Sequence, residues 1–377
     1  MNNSRKLNNF KGHKLRFLRN LRGETLESLD KKSNVRSQKI SRIELNECVP
    51  SFDEIRSLSN ALQVSPLFLL NDDQVPTTGG AIFYRKLQRT PKKDFERAEL
   101  KTRIFALLDQ KLSEKLHLSY QDYISFANHD EIFNMLDDEY IENMALCVRS
   151  QFKLGDGPVS NMTLLIERLG IRVLFADFSN EHIDALTVKI NDHFYIAVNS
   201  KNISSVRMRF NLAHELGHVL LHSYYSEQEV KKSSVRKVIE AEANYFAGAL
   251  LMPVKGLALD MIAVNMSYIK KLKKHWKASI QAIVYRGEQI NLITSQQALF
   301  LRQTIARNSW RKKEPYDDEI PIEYPSFLKS ALRYKGDNQL PQKIQEEVGI
   351  HDDFFDGLSF SDLNLGKGSL MLLNSRR

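Results

Sequence analysis

The residues of this chain most able to do chemistry are five in a row, His214-Glu215-Leu216-Gly217-His218. On an α-helix, residues four apart lie on one face, one turn up. His214 and His218 can therefore offer two imidazoles to one zinc ion without backbone strain. Glu215 sits about 100° round the helix from His214, where it can reach a water on an open coordination position and act as general base. The chemistry such a set performs is hydrolysis. A bare HExxH pattern is short and arises by chance in charged helices, so its surroundings decide its meaning. Here it lies within RFNLAHELGHVLLH, where Val219, Leu220 and Leu221 continue an apolar helix to be buried beneath a sheet. His222 extends the histidine series to i+8 and reads as a helix-end residue rather than a ligand.

A catalytic zinc site needs a third protein ligand, with the fourth position left to water. The segment EAEANYFAGALLMP, which begins at Glu240, supplies candidates. Glu240 and Asn244 are spaced i, i+4, so if Glu240 binds the metal, Asn244 on the same face can hydrogen-bond a ligating histidine. Ala243 and Ala247 are small enough to let two helices approach closely. Glu242 is the rival ligand, about 200° from Glu240 on the helix, so only one of them can point at the metal. Glu240 is favoured because Asn244 stacks one turn beyond it. Tyr195, Tyr224, His275 and Tyr285 are unranked candidates for stabilising an oxyanion.

The elements that must position these residues can be read from periodicity. Residues 171–175 predict a strand after a helix over 162–169 that ends at Gly170. Residues 185–190 and 193–198 are two β-branched runs separated by Asn191-Asp192, a hairpin signal. Two helical patterns follow, over about 203–222 and 234–251, so a small sheet backed by helices is expected. Residues 81 to about 153 read as mostly helical and charged, and the tail from about 256 as mainly helical.

Composition bounds the rest. The chain has 377 residues, 42% hydrophobic and 27% charged, enough for more than one core. Cys48 and Cys147 are its two cysteines, so no disulfide framework is expected and a reducing, cytoplasmic setting is the natural expectation. The opening MNNSRKLNNFKGHK is basic and polar, unlike a secretory signal, and no stretch reaches the roughly 18 uninterrupted apolar residues of a membrane span. Net charge is +8. Residues 1–42 carry twelve Lys and Arg against three acids, a local +9, so the basic excess is concentrated at the N-terminus. That concentration permits nucleic-acid binding.

The same N-terminal stretch has short helical patterns that predict a compact five-helix bundle before the turn-rich segment 71–80. Thr25 is a good N-cap, Asn34 suits a left-handed turn, and the next helix runs over 36–44. Ile40 and Ile43 would face the core, with Arg36, Ser37, Gln38, Ser41 and Arg42 offered to double-stranded DNA; Gln and Arg can pair bidentately with adenine and guanine edges. A protein-docking bundle with a solvated basic face is the alternative.

Taken together, these residues resemble the ImmA/IrrE family of zinc metallopeptidases fused to an XRE (Cro/C1-type) helix-turn-helix. The two zinc segments look like the family's signatures in the right order. WKASIQAIVYR from Trp276 and WRKKEP from Trp310 echo it further, so the resemblance covers about 10–70 and 140–315. It implies an α+β chain: an all-α helix-turn-helix bundle (1–75), a helical connecting region (76–153), a zincin-like metallopeptidase core (154–255) and a mainly helical C-terminal region (256–377). It also implies a gluzincin-like zinc endopeptidase that cleaves a repressor-type protein. The alternative is a DNA-binding regulator whose metallopeptidase-like domain acts as sensor or scaffold. Within the bundle the resemblance implies a buried Arg19–Glu44 ion pair and base contacts from Ser37, Gln38 and Arg42. Asp30 stands where the pattern usually has Ala, and Leu26 where a phosphate-contacting Gln is common. Both departures predict weaker DNA binding than that of a dedicated repressor.

Overall fold

The computed structural model describes residues 10–73, 75–86, 91–118, 132–178, 183–199, 201, 203–337 and 339–350. Five helices open the chain: α1 (Gly12–Arg22), α2 (Leu26–Ser33), α3 (Ser37–Glu44), α4 (Phe52–Leu62) and α5 (Pro66–Leu70). Their starts are chemically marked. The Thr25 hydroxyl accepts from Ser28 N at 3.1 Å, and Ser51 and Glu54 form a capping box. Asn34 makes the turn between α2 and α3 at φ 56°. No side chain of Arg36 caps α3; instead Asp30 Oδ2 accepts from Ser37 N at 2.8 Å. The acid that departs from the expected Ala thus satisfies an orphan donor of α3 and favours its positive dipole end. Arg19 grips Glu44 with two bonds, Nε–Oε1 at 2.6 Å and Nη2–Oε2 at 2.9 Å.

A four-stranded sheet forms the centre of the molecule, in the order β1 (Thr78–Lys86), β3 (Ile183–Ile190), β4 (His193–Asn199), β2 (Arg172–Ala176). β1–β3 and β3–β4 are antiparallel and β2–β4 parallel. Asn191 and Asp192 turn the hairpin with φ 47° and 66°, left-handed values that suit the sheet's twist. The expectation of helix from 81 needs correction. Residues 78–86 are an edge strand, broken by register shifts between Gly79 and Phe83 and between Arg85 and Lys86. Helices do follow, α6 (Lys92–Leu116) and α7 (Asp138–Gln151), then α8 (Met162–Arg168), with Gly170 at φ 84° ending the last of these.

Two cores flank the sheet. One face, with Leu186, Val188, Tyr195 and Ala197, joins α6, the N-terminal bundle and the helices α16 (Phe327–Lys335) and α17 (Leu340–Val348). Asp109 of α6 ties this layer to the sheet, accepting from Arg172 Nε at 3.2 Å and Tyr195 Oη at 3.1 Å. The other face, with Val173, Phe175, Ile196 and Val198, packs on α9 (Ser205–His222) and α11 (Ser233–Leu251); α10 (Glu227–Lys231) lies between them in sequence. Beyond come α12 (Val254–Asp260), α13 (Met266–Trp276), α14 (Ile280–Gln289) and α15 (Ser295–Arg307). Glu314 fastens this end, accepting from Ile280 N at 2.7 Å and from buried Lys273 Nζ at 2.8 Å. Among the described residues no helix is long and apolar enough to cross a membrane.

Candidate metal centre

The centre forms where α9 crosses α11. Gly217 allows that crossing: a Cβ there would meet Phe246 Cδ1 at 3.1 Å and Ala243 Cα at 3.2 Å. Ala243 and Ala247 are themselves fully buried at this contact. The close approach brings Glu240 of α11 against the histidine face of α9. His214, His218 and Glu240 each offer one ligand atom, and all three atoms lie within 4.8 Å of one another. His214 Nε2 is 3.0 Å from His218 Nε2 and 3.4 Å from Glu240 Oε2; His218 Nε2 is 3.6 Å from Glu240 Oε1.

The donor set fits a tetrahedral metal. Ligand bonds of about 2.1 Å at tetrahedral angles put neighbouring ligand atoms about 3.4 Å apart. The observed separations bracket that value, and two imidazoles with one carboxylate are borderline donors that suit zinc. His214 Nδ1 lies 3.1 Å from Asn244 Oδ1, a partner that accepts its proton and leaves Nε2 to the metal.

The remaining groups are arranged around this cluster. His214, Glu215 and His218 are wholly buried, whereas the Glu240 side chain is 32% exposed, so the cluster meets solvent on the Glu240 side. Glu215 Oε2 accepts from the Thr187 hydroxyl of β3 at 2.6 Å. Sequence reasoning missed Thr187: it lies 28 positions away on a strand, and only the packing of α9 on β3 brings it there. His222 is the last residue of α9 and stands outside the ligand cluster, but it is no mere helix end. It is fully buried, 3.0 Å from His218 Nδ1 and 2.9 Å from Glu242 Oε2. Burial pushes its imidazole below the ordinary histidine value, with Glu242 opposing that shift. The signal that could have found it was the i, i+4 continuation from His218.

The four oxyanion candidates scatter. Tyr195 is excluded: it points into the core on the opposite face of the sheet, bonded to Asp109. His275 is exposed and pairs with Asp260 at 3.1 Å. Tyr224 packs on Tyr225, whose ring stacks near His222, and burial raises both phenols above their ordinary value. Tyr285 lines a cleft of about 580 Å³ together with Asn211 and Asn244, the latter in contact with His214. Its charged lining is mixed but mainly basic, with Arg207, Arg286, Arg302, Arg311 and Lys312 against Glu314 and Asp317.

In the N-terminal bundle Ile40 and Ile43 are fully buried, while Arg36, Gln38 and Arg42 are exposed and Ser37 and Ser41 half-buried. Arg36 precedes α3 as its N-cap, and of the predicted DNA-facing side chains on α3 itself Gln38 and Arg42 are the most exposed.

A family model described as Peptidase_M78, IrrE N-terminal-like domain, matches residues 166–288. That segment holds β2 to β4, α9 and α11, and so every residue of the metal cluster. The match supports the ImmA/IrrE family, and with it a metallopeptidase-like function and a metal cofactor. The N-terminal helices lie outside the matched residues. No curated protein matches the chain.

Proposed function

We propose that the chain is a zinc-dependent endopeptidase that cleaves a repressor-type regulatory protein and binds double-stranded DNA through its N-terminal bundle. The observation that carries the peptidase reading is the convergence of His214 Nε2, His218 Nε2 and a Glu240 carboxylate oxygen, with Glu215 next in sequence to His214. Zinc, when bound, would acidify a water molecule and polarise the scissile carbonyl. Glu215 then takes the water's proton on its carboxylate and passes it to the leaving amine. The Thr187 hydroxyl fixes the rotation of that carboxylate. Asn244 keeps the His214 ring turned toward the cluster.

The free sheet edge supports binding of an extended substrate. Among the described residues β1 pairs on one side only, with β3, and its register sets Phe83 opposite Thr187. That open edge can accept an added peptide strand, two strands away from Thr187. The basic cleft beside Asn244 can take side chains beyond the scissile bond. In the bundle, Arg36, Ser37, Gln38, Ser41 and Arg42 are the residues we assign to DNA.

Glu215→Gln tests the enzyme reading. The variant should fold and hold zinc as the wild type does, yet lose cleavage of a repressor-type substrate by about 10²–10⁴-fold, the usual contribution of a general base. Cleavage persisting at the wild-type rate would refute it.

A second reading is supported by the shared core of the bundle, α6 and one face of the sheet. In it the metallopeptidase-like domain senses or scaffolds, and the DNA-binding bundle regulates transcription. Control of a target gene surviving Glu215→Gln intact would favour that reading.

A further inference from the structure

We propose that His222 and Glu242 are positioning residues that hold the His218 imidazole with its Nε2 lone pair facing Glu240 and His214. The proposal rests on the reading of His214, His218 and Glu240 as metal ligands. Neither His222 nor Glu242 belongs to that ligand set, yet both are buried, where an imidazole and a carboxylate are costly unless bonded.

The contacts form a directional chain. Leu136 N donates to Glu242 Oε1 at 2.8 Å, and Glu242 Oε2 lies 2.9 Å from His222 Nε2. His222 Nδ1 lies 3.0 Å from His218 Nδ1, and His218 Nε2 faces Glu240 Oε1 at 3.6 Å. A carboxylate only accepts, so His222 presents its N–H at Nε2. A neutral imidazole protonated at Nε2 has only a lone pair at Nδ1. His218 therefore donates from Nδ1, which leaves its lone pair on Nε2, the atom a metal requires. Asn244 does the same for His214 with a single amide oxygen. The two ligand rings are thus oriented by unlike devices, one an amide and the other a carboxylate acting through a second imidazole. Helix pitch places His222 one turn beyond His218, and α11 supplies Glu242 from the side on which Glu240 does not point.

Glu242→Gln is the sharpest variant, because it keeps the shape and removes the acceptor-only character. Its NH₂ group must face either Leu136 N–H, donor against donor, or His222. In the second case it donates to His222 Nε2, His222 donates from Nδ1, and the His218 proton moves to Nε2, where the metal should sit.

The experiment measures zinc affinity of the full chain by competition with a chromophoric chelator, the visible spectrum of the cobalt(II) form, and thermal unfolding of the metal-free protein. Glu242→Gln and His222→Phe should each weaken zinc binding by about 10–100-fold, the usual effect of losing an orienting partner. His222→Gln, whose amide can accept from His218 and donate to Glu242, should recover most of that affinity and a near-wild-type cobalt spectrum. Metal-free unfolding should not follow this order, as it would for a merely structural role. Should His222→Phe fail to fold, Glu242→Gln beside His222→Gln decides. A folded Glu242→Gln chain that binds zinc as tightly as wild type overturns the proposal alone. A wild-type chain that binds no zinc overturns the metal-site reading and this one with it.

Discussion

Glu215 and its neighbours divide into residues placed by helix pitch and residues placed by packing. His214 and His218 share a face because four residues make about one turn, which is why the pair is legible in the sequence. Glu240 is reachable by the same logic only after a second helix is assumed, and its choice over Glu242 rested on Asn244 one turn on. Thr187 was not legible, because no local pattern links a strand hydroxyl to a carboxylate on a helix that packs over it. That contact carries its own prediction. Thr187→Val preserves volume but removes the donor to Glu215 Oε2. A hydrogen bond to a charged group is worth about 1.5–3 kcal/mol, so kcat should fall by about tenfold or more while zinc content stays at the wild-type level. Steady-state kinetics of the valine variant check it, and an unchanged kcat would show that the hydroxyl has no part in orienting the base.

At the scale of elements, the crossing of α9 and α11 determines whether a centre exists at all. Gly217 lies at that crossing, and the close contacts awaiting any Cβ there set the separation of the two helices. Gly217→Ala gains about 1 kcal/mol in helix propensity but overpacks a buried contact, at a cost of typically about 1–3 kcal/mol. Because Ala243 and Phe246 must yield, Glu240 and Asn244 should move with them. The expected result is a lower or unchanged unfolding temperature together with clearly weaker zinc binding, read by calorimetry and zinc titration. A stabilised variant with wild-type zinc affinity would mean that the crossing tolerates a methyl group. The helices, the hairpin and β2 were readable from periodicity and from signals such as Gly170 and Asn191-Asp192. β1 was not. Gly79-Gly80 read as a chain break, and two register shifts remove the alternation by which an edge strand announces itself.

At the scale of the whole molecule, the N-terminal bundle is no pendant domain. Leu15, Leu18 and Phe68 belong to the same continuous core as Phe105 of α6 and Leu186 of the sheet. Arg97 of α6 donates to Leu21 O at 3.3 Å, and Gly349 O accepts from Ser65 N at 2.9 Å. An excised fragment would expose that core, so DNA binding belongs to a test on the full chain. If the bundle binds DNA, gel shifts should weaken steeply with salt, because exposed basic residues such as Arg36 and Arg42 would supply the phosphate contacts, whereas Lys14 is buried and Arg19 is held by Glu44. The double change Gln38→Ala, Arg42→Ala should erase sequence preference, about 1–3 kcal/mol for each bidentate contact. No binding even at low salt would make protein docking the role of the bundle. The central claim, that His214, His218 and Glu240 hold a catalytic metal, is tested most directly by elemental analysis of the purified chain beside a His214→Ala, His218→Ala double variant. About one zinc per chain in the wild type and none in the variant is the expected result. Equal metal content in the two proteins would contradict it.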